Sequence, residues 1–199
     1  MASVDTSARF AHPTYLIRKK VLKLFGGAFQ VFDPAGNLAF FCEQKAFKLK
    51  EDIRVYGDEG KTAEVLRIQA RSIIDFGASY DVVDALANEK VGALRRRGFK
   101  SLVRDEWTIL DAADREIGKL EEESPILALV RRFLVSLIPQ AYVGSVDGRP
   151  VFTFRQHFNP FVLKISLDFS PDTEGLLDRR LGIAAGLLLC AIEDREGSD

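Results

Sequence analysis

The densest run of ligand-binding chemistry in this 199-residue chain is basic. Lys90, Arg95, Arg96, Arg97, Lys100 and Arg104 fall within residues 90–104, with no Asp or Glu among them. The flat guanidinium fork matches the oxygens of phosphate, and several cations held together attract an anionic surface. Gly98 and Phe99 sit at the centre of the tract, which reads as a loop following a strand. A second cluster, Arg18, Lys19, Lys20 and Lys23, lies on or beside the first expected strand. The candidate lipid- or phosphate-binding residues are therefore Arg95, Arg96, Arg97, Lys100, Arg18, Lys19 and Lys20. Each cluster also has a plain structural reading: a solvated basic turn for the first, protection of a sheet edge for the second.

Other chemistry is sparse. His12 and His157 are the only histidines, and neither stands in a recognisable motif. The chain has no G-x-S-x-G elbow, no phosphate loop and no H-E-x-x-H, so no catalytic residue, metal site or cofactor is assigned. Its carboxylates are scattered, which neither supports nor excludes a glycosidase-like pair. Cys42 and Cys190 lie in apolar surroundings without metal-ligand spacing and read as small buried thiols. The net charge of −1 gives no global field for nucleic acid. Residues 1–110 carry 18 basic and 14 acidic side chains against 10 and 15 for the rest, so attraction to anions must come from local patches in the first half. No apolar stretch of signal-peptide length occurs in Met1 to Pro13, which predicts a cytoplasmic protein.

The elements that must carry these groups follow from a repeat: aromatic, any residue, Val or Ile, any residue, Asp. It occurs as Phe29–Asp33, Tyr80–Asp84 and Trp107–Asp111, and more loosely as Tyr142–Asp147. Turn formers come next, then an apolar return: Leu38-Ala-Phe40, Val91–Leu94, Ile117–Leu120, Val151–Phe154. Each unit reads as a strand, a turn and a returning strand, with the Asp bonding its own backbone to start the turn. Twelve strands are expected: 15–20, 28–32, 38–44, 53–56, 64–70, 80–83, 90–96, 106–110, 116–121, 142–146, 151–157 and 161–168. So many strands in one antiparallel sheet leave exposed edges unless the sheet closes, which predicts a barrel.

Two segments have helical spacing. Pro125–Ile138 is amphipathic and ends at Pro139. Leu181–Ile192 is twelve residues without a charge, apolar on every side, and so must be surrounded. As a helix it spans about 18 Å, too short for a hydrocarbon core of ~30 Å, so it is expected to be a buried core helix. Gly182 and Gly186 thin one face of it, which would let it fit a narrow enclosure. One barrel domain over residues 13–199, with a flexible leader at 1–12, is the expected organisation.

Many hairpin-linked strands followed by one apolar terminal helix resemble the tubby C-terminal-like superfamily. The residues carrying this are Phe32–Asn37, the repeats Tyr80–Leu94 and Trp107–Leu120, and the ending Leu177–Ala185. Within it the chain looks closest to the LURP-one-related and phospholipid scramblase-like branch. The resemblance implies a mainly β fold, a closed antiparallel barrel of about twelve strands around a hydrophobic C-terminal helix. It also implies a non-enzymatic, membrane-associated module, scramblase-like or phosphoinositide-binding, whose partner is anionic phospholipid. Residues 1–14 hold one Pro and no Cys, unlike the Pro- and Cys-rich leader of the scramblases. The stretch matching their calcium-associated segment, Asp168–Gly175, departs from the EF-hand pattern, with Gly misplaced and Arg179 where the closing Glu would stand. The competing expectation is a soluble protein-interaction scaffold using Pro125–Ile138 or a barrel rim. A carrier of apolar ligands is a third, opposed by a helix that should fill the interior. A monomer that meets lipid or a protein partner rather than nucleic acid, with no transmembrane span, is the resulting expectation.

Overall fold

The computed structural model describes residues 6–21, 27–44, 53–71, 79–96, 106–123, 141–157 and 163–196. A short helix, α1 (Thr6–Arg9), precedes twelve strands. These are β1 (Thr14–Val21), β2 (Gly27–Phe32), β3 (Leu38–Gln44), β4 (Ile53–Tyr56), β5 (Glu64–Ala70) and β6 (Ser79–Asp84). They continue as β7 (Glu89–Arg96), β8 (Glu106–Asp111), β9 (Glu116–Glu122), β10 (Ala141–Val146), β11 (Arg149–His157) and β12 (Lys164–Asp168). The chain then forms α2 (Arg179–Glu196). Every strand pairs antiparallel with its sequence neighbour, and β1 pairs with β12, so the sheet is a closed barrel without an edge. All twelve expected strands are found. The amphipathic segment Pro125–Ile138 lies outside the described residues.

The repeat builds this barrel through one local device. In each of these hairpins the register slips once: between Val31 and Phe32, Val55 and Tyr56, Val82 and Val83, Ile109 and Leu110, and Gly144 and Ser145. The returning strand carries the extra residue, namely Ala39, Val65, Val91, Ile117 and Val151. The first four stand at 39, 65, 91 and 117, an even spacing of 26. A bulge sharpens the local twist, and one per hairpin bends a flat sheet toward closure. The β4–β5 hairpin is thus a fifth unit, in which Ile53 replaces the aromatic and Gly57 delays the acid to Asp58.

The repeated acids start the turns. Asp33 Oδ1 accepts the Asn37 N–H at 2.8 Å, Asp84 Oδ1 those of Leu86 and Ala87 at 2.9 and 3.0 Å, and Asp111 Oδ1 those of Ala113 and Arg115 at 2.9 Å. Near the end of each loop one residue turns left-handed: Gly36, Lys61, Asn88 and Asp114. Asp147-Gly148 instead makes a two-residue connection with φ of 48° and 76°, matching the twist of the strands it joins.

Inside, α2 is enclosed on all sides. Every residue from Leu181 to Ala191 is buried, and the inward side chains of the strands, Ile17, Phe29, Val31, Phe40, Tyr80, Trp107, Leu120, Tyr142 and Phe154 among them, belong to the same core. Each large side chain so placed contributes about 1.5–3 kcal/mol. The glycine face fits the wall: a Cβ at Gly182 would lie 2.4 Å from the Phe169 ring, and one at Gly186 3.1 Å from Ile17 Cδ1. Leu94, Trp107, Leu120, Ala185, Leu188 and Leu189 line a gap too small for a water molecule.

Charges fix the helix start. Asp178 caps it by accepting the Arg180 N–H at 3.0 Å. Arg179 donates to the carbonyls of Ala11 and His12 and lies 5.5 Å from the Phe169 ring centroid. Arg180 reaches Asp84 Oδ2 at 2.7 Å, tying the helix to the β6–β7 turn. Arg9 donates to the carbonyls of Ala39 (3.0 Å) and Gly57 (2.7 Å), so the segment before β1 is tied to the same end.

These turns set an acid limit. Partial burial raises the Asp84 carboxyl, but the N–H groups of Ala87 and Leu86 and the Arg180 guanidinium outweigh it and hold the pKa below the ordinary value. Asn37, Thr62, the Arg115 N–H and Arg71 likewise depress Asp33, Asp58, Asp111 and Asp114. A carboxyl depressed in the fold adds stability above its unfolded value near 4, and that stability is lost as pH falls through the folded value. The urea midpoint should therefore drop steadily below about pH 4, and Asp84→Asn should flatten part of the drop. A midpoint constant across that window contradicts the assignment.

Candidate ligand-binding surface

Strand alternation sends every second side chain outward, and the basic candidates divide accordingly. On β7, Arg95 is exposed and stands 3.7 Å from Glu116. Its neighbour Arg96 turns to the other side, with its guanidinium 5.9 Å from the centroid of the buried Trp107. Lys90, at the start of the same strand, is committed elsewhere. It lies 2.7 Å from Asp114 and 3.2 Å from Asp81, and both carboxylates also bind Arg71. Arg97 and Lys100 lie outside the described residues.

On β1, Arg18 is exposed, 5.7 Å from the Phe32 ring centroid, while Lys19 is half-buried and its N–H donates to the Leu163 carbonyl at 3.0 Å. Lys20 pairs with Ala28 of β2, and its side chain is outside the described residues.

Barrel closure adds residues that sequence order hides. Arg18 pairs directly with Lys164 on β12, and Lys164 pairs directly with His157 on β11. Directly opposite residues of an antiparallel pair have Cβ atoms about 5 Å apart, so three outward groups form one lateral row. His157 Nε2 lies 2.6 Å from Ser166 Oγ, one outward position along β12. No local signal marks Lys164 or His157. Each is an isolated cation or imidazole on its own strand, and the β1–β12 seam brings them to Arg18.

The row differs from other outward cations in its partners. Arg54 and Arg67 also face each other across strands, yet they share Glu64 at 3.6 and 2.6 Å. Lys119 pairs with Glu121, Arg149 with Glu174 and Arg155 with Glu123, at 2.7, 2.7 and 3.8 Å. Among the described residues, neither Arg18 nor Lys164 has a carboxylate partner.

The remaining candidates are occupied structurally. In the acidic stretch, Asp168 accepts the Ser170 N–H at 2.8 Å, Asp172 accepts those of Leu176 and Leu177 at 2.8 and 3.1 Å, and Glu174 pairs with Arg149. His12 stands 4.0 Å from Asp33. The Ser166–His157 contact brings a hydroxyl to an imidazole on the outer wall. No third group among the described residues orients that ring, as hydroxyl activation requires.

A family model described as LURP-one-related matches residues 38–140, more than half of the chain, from the start of β3 to the residue before β10. No curated protein and no solved structure matches the chain.

Proposed function

Since the chain belongs to the LURP-one-related family, part of the tubby-like superfamily, we propose that it is a non-enzymatic module that binds anionic phospholipid at a membrane surface. One observation carries this reading. The barrel interior is filled by α2 from Leu181 to Ala191, so a ligand has to be met on the outside. There Arg95 and Arg18 are exposed; in sequence, Arg96, Arg97 and Lys100 follow the first, and Lys19 and Lys20 follow the second. No helix among the described residues is long and apolar enough to cross a membrane. Attachment in this reading is peripheral, at a cytoplasmic membrane face, and electrostatic.

Each Lys or Arg close to an anionic membrane contributes about 1 kcal/mol, and salt screens that attraction. The purified protein should float with phosphoinositide-containing vesicles at low salt, release at high salt, and ignore neutral vesicles. Changing Arg95, Arg96 and Arg97 together to Gln should weaken vesicle binding by about two orders of magnitude. Full binding by that variant assigns the contact elsewhere on the barrel. Absence of binding to any vesicle removes the lipid reading and favours a protein-interaction scaffold.

A further inference from the structure

We propose that Arg18, Lys164 and His157, in one outward row across β1, β12 and β11, form a binding site for a phosphate monoester. The site deepens the anionic-lipid reading and rests on it for the case in which the phosphate is carried by a lipid. Three observations support it. The first is register: Arg18 faces Lys164, which faces His157. Like charges directly opposite on a sheet repel, and the barrel relieves the comparable Arg54–Arg67 pair with Glu64. Among the described residues no such carboxylate is supplied at Arg18 and Lys164. A bound dianion would do there what Glu64 does between Arg54 and Arg67.

The second observation is geometric. Phe32 lies beneath the Arg18 guanidinium, 5.7 Å from centroid to Cζ, and braces it on the barrel wall. A braced fork and a neighbouring ammonium suit a group with three terminal oxygens better than a single carboxylate.

The third is the hydroxyl–imidazole pair. Neutral His157 and Ser166 hold two polar protons between them, and their 2.6 Å contact uses one. In either tautomer one donor is left for a ligand oxygen. Of the carboxylates on this face, Glu59 is bonded by Gln30, the β2 residue opposite Arg18, and Asp168 accepts the Ser170 N–H at 2.8 Å.

The site separates from the Arg95–Arg97 contact by experiment. The probes are soluble inositol trisphosphate, measured by calorimetry, and vesicles bearing either phosphoinositide or phosphatidylserine at matched total charge. The variants are Arg18→Gln with Lys164→Gln, and the Arg95, Arg96 and Arg97 to Gln triple, each checked for a wild-type melt. The expected result is that the Arg18/Lys164 variant loses tenfold or more in trisphosphate affinity while still floating with phosphatidylserine vesicles. Binding of the soluble headgroup with no preference for phosphoinositide vesicles assigns the site to a free phosphate ligand. Preference for both assigns it to the lipid. Wild-type trisphosphate affinity in the Arg18/Lys164 variant, with loss in the triple, overturns the row and leaves the lipid reading standing. No trisphosphate binding by the unaltered protein overturns the row outright, and failure to bind any anionic vesicle removes the lipid reading separately. Should the double variant melt early, Lys164→Arg decides: it keeps the charge and should keep the affinity.

Discussion

Leu188→Asp should leave the chain without a cooperative unfolding transition and without near-ultraviolet circular dichroism. Leu188 is 3% exposed on a helix enclosed by strands. It meets Leu94 of β7, Trp107 of β8 and Leu120 of β9 across a gap too small for water. Truncating a buried leucine costs about 2–5 kcal/mol before any charge is considered. An unpaired carboxylate there adds several more, or forces the group to protonate. A domain stable by about 5–15 kcal/mol does not survive that sum with much of its fold populated. Leu188→Met keeps volume and polarity and should cost less than about 1.5 kcal/mol. Thermal melts of both proteins check the argument. A Leu188→Asp protein that melts like the parent would place α2 outside the barrel.

That helix was legible because its signal is local: twelve residues without a charge have no face to offer water. The hairpins were legible for the same reason, since Phe29–Asp33, Tyr80–Asp84 and Trp107–Asp111 each carry strand, turn and return within a short stretch. The fifth unit departs from the repeat, with Ile53 in place of the aromatic and Gly57 moving the acid by one place. Its bulge residue, Val65, falls in step with Ala39, Val91 and Ile117 all the same. Partners across the barrel were not legible. Lys90 belongs to the basic tract by sequence, yet Asp81 of β6 and Asp114 of the β8–β9 turn neutralise it. Arg18 gains Lys164 and His157 only because the first and last strands pair. Register between distant strands depends on the number of strands and the stagger that closes the barrel, which no short window of sequence encodes.

Gly118→Ala should destabilise the protein by about 3 kcal/mol, although it adds one methyl group on a strand that would ordinarily welcome it. Gly118 follows the bulge residue Ile117, faces Ile109 on β8 and faces Val146 on β10. A Cβ there would lie 2.1 Å from the carbonyl oxygen of Ser145 and 3.2 Å from Val146 Cα. Those obstacles are backbone, so no side-chain rotation clears them, and β9 and β10 must separate. Gly92, at the same place in an earlier hairpin, presents the same obstacle: its Cβ would lie 2.3 Å from the Leu110 carbonyl oxygen and about as close as packing allows to Leu181 of α2. Gly57→Ala is the control. Its Cβ meets atoms no nearer than 3.6 Å, and its φ is not in the left-handed region. Losing a glycine there should cost nothing and can add about 0.4–1 kcal/mol by restricting the unfolded chain. Urea titrations of Gly118→Ala, Gly92→Ala and Gly57→Ala test the bulge as the closing device of this barrel. If Gly118→Ala and Gly57→Ala shift the midpoint alike, close backbone approach after the bulge is not what glycine provides at 118.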